Sequence, residues 1–194
     1  MKIAIHQPEH FPYMGFFQKM EESDIFVMLD NVKFKKNNFQ NRNRFINNQG
    51  QEEWFGFAVP KDSTSKLIKD VVPVDDKIDR WKTKVIKKLE HNFRQDFTSV
   101  YENENLIDIN MKSIEWAMSR MSINTKIIFS SEINAKGSGS ELLSNICREI
   151  GAKTYLSGPS GKDYLEEDLF GEIKVEYFYP KVENLYSCVY NLLK

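Results

Sequence analysis

The stretch MKIAIHQPEHFPYMGFFQKMEESDIFVMLD, residues 1–30, decides the fold. Lys2–Ile5 is a short apolar strand. His6-Gln7-Pro8 ends it, because proline has no N–H to give to a ladder and its φ is fixed. Tyr13–Glu22 carries Phe16, Phe17 and Met20 at helical spacing. Asp24–Leu29 is an apolar run of strand length, closed by Asp30. A strand, a loop, a helix and a second strand in so short a stretch predict a βαβ unit and a parallel sheet.

The pattern continues outward from there. Asn31–Gly50 is polar, basic and without a period, which predicts a loop or an irregular hairpin over the sheet edge. Trp54–Val59 reads as a strand stopped by Pro60, and Val71–Val74, which contains Pro73, as an edge strand. Asp76–Phe93 is an amphipathic helix with Ile78, Trp81, Val85, Ile86 and Leu89 on its apolar stripe. Leu106–Met121 is a second long helix, Lys126–Phe129 a strand, and Ser140–Ile150 a helix closed by Gly151. Lys153–Leu156 is a strand running into Ser157-Gly158-Pro159-Ser160-Gly161, followed by a β segment at Ile173–Phe178 and a helix at Asn184–Leu193. The alternation predicts an α/β fold: a three-layer, Rossmann-like domain with a mainly parallel sheet. One domain over residues 1–194 is expected, with residues 31–70 as a polar, basic, irregular insertion.

Composition narrows the function classes. The chain has 194 residues and a formal net charge of -1, so no global pull toward nucleic acid or an anionic membrane is expected, and no DNA partner is expected. No apolar run approaches the ~18 residues needed to span a bilayer, and the N-terminal run is too short for a signal peptide, so a cytoplasmic protein is expected. Two cysteines, Cys147 and Cys188, form no framework or CxxC pair and read as small buried hydrophobes.

Ligands of open parallel sheets bind beyond the carboxyl ends of the strands. Three segments follow a strand with polar or glycine-bearing residues: His6–His10, Asp30–Arg44 and Ser157–Tyr164. His6 is placed to act as a base or to meet phosphate, or else to bond the backbone at a turn. His10 is four residues on, but Pro8 and Pro12 exclude the helix that a paired metal site needs. Lys35, Arg42 and Arg44 are interleaved with Asn41, other amides and Phe39, which suits either a phosphate-bearing ligand or a solvated basic hairpin. Asp30 is either a catalytic carboxylate or the cap of the next turn. Ser157, Gly158 and Ser160 lie in a turn whose amides, with the start of a following helix, could hold an anion. That turn is neither a phosphate-loop motif nor a nucleophile elbow: Lys162 is followed by Asp163, and the order is SGPSG.

Together the segments 2–45, 81–93, 113–132 and 137–165 resemble the WbqC-like proteins. The HQP start, the FQNRNR core (39–44) and the YLSG turn (155–158) carry the resemblance in combination. It implies a bacterial protein of O-antigen or other surface-polysaccharide biosynthesis that acylates or aminoacylates a nucleotide-linked amino sugar. His6 and Asp30 are then catalytic candidates. Gln7, Lys35, Asn41, Arg42, Arg44, Ser157, Gly158 and Ser160 are candidates for binding substrate. The expected partners are a nucleotide-linked sugar and an acyl or aminoacyl-tRNA donor, with no metal and no cofactor. Two departures stand out: His10 replaces the more usual aromatic, and the C-terminal stretch 176–194 is shortened, lacking a longer loop before the final helix. A nucleotidyltransferase is the enzymatic alternative, though HQPEHFPYMG lacks an HxGH tetrapeptide. A non-catalytic nucleotide- or tRNA-binding module is the other.

Overall fold

The computed structural model describes every residue except 76, 78 and 79. Its contacts gather into two compact units. The first holds residues 1–7, 15–30 and 124–183; the second holds 8–14, 31–123 and 184–194.

The first unit is built on five strands: β1 (Lys2–His6), β2 (Ile25–Met28) and, after the long excursion into the second unit, Lys126–Phe129, Thr154–Ser157 and Lys174–Tyr177. All four pairings are parallel. In spatial order the strands run 126–129, 25–28, 2–6, 154–157, 174–177. Numbered within this unit the order is 3-2-1-4-5, consistent with a Rossmann-like arrangement, and it reverses between β1 and the strand 154–157.

Helix α1 (Met14–Glu21) returns the chain from β1 to β2. Its Phe16 packs on His6 and Phe26 at 4.9 Å in each case. Ala4 lies beside Phe26, so Ala4, His6 and Phe26 share the face that α1 covers. Ile3 lies beside Tyr155 on the other face, where Phe170 stacks on Tyr155 at 5.2 Å. Arg148 of the helix Gly139–Ile150 donates to the Leu169 carbonyl on that same side. Helix, sheet and helix thus make three layers within this unit.

The second unit contains an antiparallel ribbon of β3 (Arg42–Ile46) and β4 (Glu52–Gly56). Against it lie α2 (Trp81–Phe93) and, at the end of the chain, residues 188–193, on which α3 (Leu106–Met121) packs in turn. In chain order the remaining strands are β5 (Lys126–Phe129), β6 (Thr154–Ser157) and β7 (Lys174–Tyr177), and the remaining helices are α4 (Gly139–Ile150) and α5 (Cys188–Leu193). The core of the second unit is aromatic: Phe11, Phe45, Phe97 and Tyr101 are essentially sealed from solvent.

Three sequence expectations need correction. Residues 31–50 hold a regular strand, β3, and its partner β4 belongs to the ribbon rather than to the parallel sheet. Val71–Val74 is not a strand. Val71 N–H closes a short 3₁₀ turn on Ile68, and Val74 N–H donates to Ala58, leaving no ladder for Pro73 to interrupt. The helix expected over Asp76–Phe93 is present as α2 from Trp81 to Phe93, with Arg80 before it in a left-handed conformation, and Asp76 and Ile78 lie outside the described residues. The final helix begins at Cys188 rather than Asn184. Cys147 and Cys188 are both free and buried, and burial pushes the Cys147 thiol up to about 12.

One close approach fixes the turn after β6. A Cβ on Gly161 would stand 2.1 Å from Ser157 Oγ and 3.0 Å from Leu165. Gly161→Ala is therefore expected to destabilise the protein by about 1–3 kcal/mol through overpacking. Adding Ser157→Ala should recover most of that loss, measured by denaturant unfolding of the single and double variants.

Candidate functional site

The carboxyl edge of the parallel sheet gathers His6, Asp30 and Ser157 at the ends of β1, β2 and β6. His6 is half-buried and its Nδ1 lies 2.9 Å from the Gln7 carbonyl. A carbonyl only accepts, so Nδ1 carries the proton and Nε2 is left as an acceptor. Burial, with the nearby Lys19 charge, lowers the His6 pKa to about 3. Lys19 itself is buried on α1 and donates to the Ile5 carbonyl at 3.3 Å. His6 is thus a neutral imidazole at ordinary pH. Its low basicity suits orienting a substrate N–H better than removing a proton.

Asp30 is buried, and both of its oxygens are occupied. Oδ1 accepts from Ser130 Oγ and Ser131 N, each at 2.9 Å, and Oδ2 accepts from Ser131 Oγ at 2.6 Å. This carboxylate ties the end of β2 to the turn after β5, which makes it a positioning group.

Ser157 is buried, and its hydroxyl donates to the Gly158 carbonyl at 3.2 Å, so it is not presented as a nucleophile. No α-helix follows it. Pro159–Asp163 is a five-residue 3₁₀ turn, and Gly161 N–H is spent on the Gly158 carbonyl. The expected helix start for an anion is therefore missing, although Ser160 is exposed on that turn.

The loop after Gln7 belongs to the second unit and meets the Arg-Asn stretch there. Asn43 is fully buried; its Nδ2 donates to the carbonyls of His10 at 3.1 Å and Phe11 at 2.8 Å. Asn110 Nδ2 reaches the Gln40 carbonyl at 2.7 Å, and Ser113 Oγ accepts from Phe11 N–H at 2.9 Å. These bonds hold Phe11 at φ 45°, a conformation that bulky residues rarely adopt. Strain of about 1–3 kcal/mol there is offset by burying the ring against Phe55, Phe97 and Trp116. His10 is sealed in the same cluster, 2.9 Å from Tyr101 Oη and edge-on to Phe11 and Phe57. It does the packing of a ring, which explains how a histidine fits where the resemblance implies an aromatic.

Between this loop and β3 lies a cavity of about 210 Å³ lined by Glu9, Tyr13, Phe39, Asn43, Arg44 and Leu185. Burial raises the Tyr13 pKa, and the Glu9 carboxylate adds to the effect. Arg44 pairs with Glu52 at 3.1 Å and lies over the Tyr186 ring. Arg42 stacks on Trp54 at 4.5 Å and donates to the Asn37 carbonyl. Nε of both arginines is buried without a hydrogen-bond partner among the described residues. Asn41 spends its amide N–H on the Phe57 carbonyl, and Lys35 is exposed. Several amides that looked free to read a ligand are therefore fasteners of the fold.

The sequence-based candidates fall into two sets, one on the sheet edge of the first unit and one in the second unit. Glu9, Tyr13 and Trp54 were not singled out. Trp54 had one available signal, a large aromatic between charged and apolar neighbours in EEWFG (52–56).

The chain matches the WbqC-like protein family over residues 7–191. It belongs to that family. The matched span takes in the HQP loop from Gln7, both units and the SGPSG turn. As a WbqC-like protein it is also 27% identical over 188 residues to the uncharacterized protein Rv1507c of Mycobacterium tuberculosis (strain ATCC 25618 / H37Rv), covering 90% of this chain and 79% of that one. No solved structure matches the chain. Among the described residues no helix is long and apolar enough to cross a membrane.

The buried histidines make acid stability predictable. His10 is about 3 in the folded protein against 6.5 unperturbed, and His6 shifts the same way. The unfolded chain binds these protons first, so their contribution is complete above pH 6.5 and is lost as pH falls toward 3. Unfolding free energy should fall by about 1.4 kcal/mol per pH unit for His10 across that window. His10→Phe should flatten the slope, measured by urea unfolding at stepped pH.

Proposed function

We propose that the protein is a transferase of surface-polysaccharide biosynthesis that acylates or aminoacylates an amino sugar carried on a nucleotide. The observation that carries this reading is His6. It is a neutral, tautomer-fixed imidazole at the strand end next to the point where the sheet order reverses. A nucleophilic amine attacks as the free base. Nε2 accepts one of its N–H bonds and aims the nitrogen lone pair at the donor carbonyl; the C–N bond forms as the bond from that carbon to the carrier's oxygen or sulfur breaks, the amine proton leaves with the departing carrier, and Gln7 frames the same corner. Within the second unit Arg42 contributes to nucleotide binding, while Arg44 and Asn41 are already engaged by Glu52 and the Phe57 carbonyl. Gly158 and Ser160 meet the donor. Family membership supports the setting, and an acyl or aminoacyl-tRNA donor completes the reaction.

The strand order also suits nucleotidyl transfer, a second reading that ATP-dependent pyrophosphate release would favour.

The test combines binding with turnover. UDP-, GDP-, CMP- and dTDP-linked amino sugars are screened by thermal shift, since a bound ligand raises the melting temperature by mass action. Any hit is incubated with acyl donors and followed by mass spectrometry. His6→Ala should lower kcat by about 100-fold through lost orientation and leave the Kd of the nucleotide sugar within threefold. Equal loss of binding and turnover would remove the orienting role.

A further inference from the structure

A groove whose lining includes only Asn41 and Arg42 of the sequence-based candidates runs between the β3–β4 ribbon and α2, within the second unit. It consists of two cavities that share Lys84 and Lys88. One, of about 320 Å³, is lined by Arg42, Trp54, Phe57 and Trp81 among others. The other, of about 640 Å³, is lined by Asn47, Gln49, Gln51, Lys87 and His91 among others. Both volumes are in the range of small-molecule sites.

The two ends differ in chemistry. The first is aromatic: Trp54 is 38% exposed on the ribbon, with the Arg42 guanidinium stacked on its ring. Such a platform accepts the flat face of a base, and stacking does not depend on sequence. The shared middle is cationic. Lys84, Lys87, Lys88 and His91 follow one another at helical spacing along one side of α2. Lys88 is already committed, donating to the Trp54 carbonyl at 2.7 Å and pairing with Glu53 at 3.1 Å. It thereby fixes α2 to β4. Lys84 and Lys87 are exposed and form no ion pair among the described residues. The groove also contains the carboxylates of Glu52 and Glu53, but each has its own cation, Arg44 and Lys88. The far end is rich in amides. Asn47 Oδ1 accepts from Gln49 N–H and Gln51 N–H, which shapes the hairpin turn and leaves the two glutamine side chains exposed.

We propose that this groove seats a nucleoside diphosphate linked to a polyhydroxyl group. The base lies on the Trp54–Arg42 platform, the diphosphate meets Lys84 and Lys87, and the sugar hydroxyls meet Gln49 and Gln51. The proposal rests on the nucleotide-sugar reading above and assigns its seat in the second unit. An aromatic end, paired ammonium groups and an amide end occur in the order in which the three parts of such a molecule are joined.

Tryptophan fluorescence tests the assignment. The intact protein is titrated with UDP, GDP and dTDP, each free and linked to N-acetylglucosamine or glucose, at several salt concentrations. At least one pair should quench the wild-type signal. Trp54→Ala, and Lys84→Gln with Lys87→Gln, should each weaken the free and linked forms alike by tenfold or more, followed by calorimetry where the fluorophore is lost. The lysine double variant should also reduce the salt dependence of binding. Gln49→Ala with Gln51→Ala should weaken the sugar-linked form alone, by three- to tenfold. Trp54→Phe, which keeps a ring, should retain most of the affinity and guard against misfolding of the alanine variant. Wild-type binding left unchanged by the Trp54 and lysine variants would overturn this seat and leave the transferase reading standing. Absence of binding to every nucleotide sugar would overturn both.

Discussion

One buried amide organises the second unit. Asn43 places both Nδ2 hydrogens on the carbonyls of His10 and Phe11, while its Oδ1 accepts the Arg44 N–H. Every hydrogen-bonding group it has is engaged, as burial demands. Phe11 is held left-handed only because this clamp, the Ser113 hydroxyl and three aromatic neighbours agree on its position. An apolar residue at position 43 would leave two buried carbonyls without a donor. With them would go the alignment of the loop that carries Glu9 and Tyr13 into the cavity beside Arg44.

The first unit depends on a different economy. Five parallel strands need both faces covered, and α1 and α4 with the Phe170 turn provide that cover. Asp30 closes the far side of the carboxyl edge by collecting two serine hydroxyls and an amide. His6 stands in the centre of that edge, neutral and with its tautomer set by its own backbone. The edge offers directed hydrogen-bond acceptance rather than strong bases.

The parallel sheet was legible because its strands are short apolar runs punctuated by Pro8, Asp30 and Gly151, and helices such as Leu106–Met121 have clean periods. The ribbon was less so. Arg42–Ile46 alternates, but its polar positions are Arg42 and Arg44 on one face and its buried positions are Asn43 and Phe45. A buried asparagine reads as surface until its two carbonyl partners are known. Those partners lie more than thirty residues away, beyond any local pattern. The same non-locality hid the Asp30–Ser131 link and the lysine-lined groove. Helical spacing shows that Lys84, Lys87 and Lys88 share a side, but not that a tryptophan on another strand faces them.

The clamp on the loop after β1 is tested most directly by amide hydrogen exchange on Asn43→Ala. The His10 and Phe11 amides, which donate to the Phe39 carbonyl and to Ser113 Oγ, should exchange at least tenfold faster than in the wild type, while Ile3–Ile5 in the parallel sheet keep their protection. Unchanged exchange at His10 and Phe11 would contradict the account, because the loop would then be holding its shape without the amide assigned to hold it.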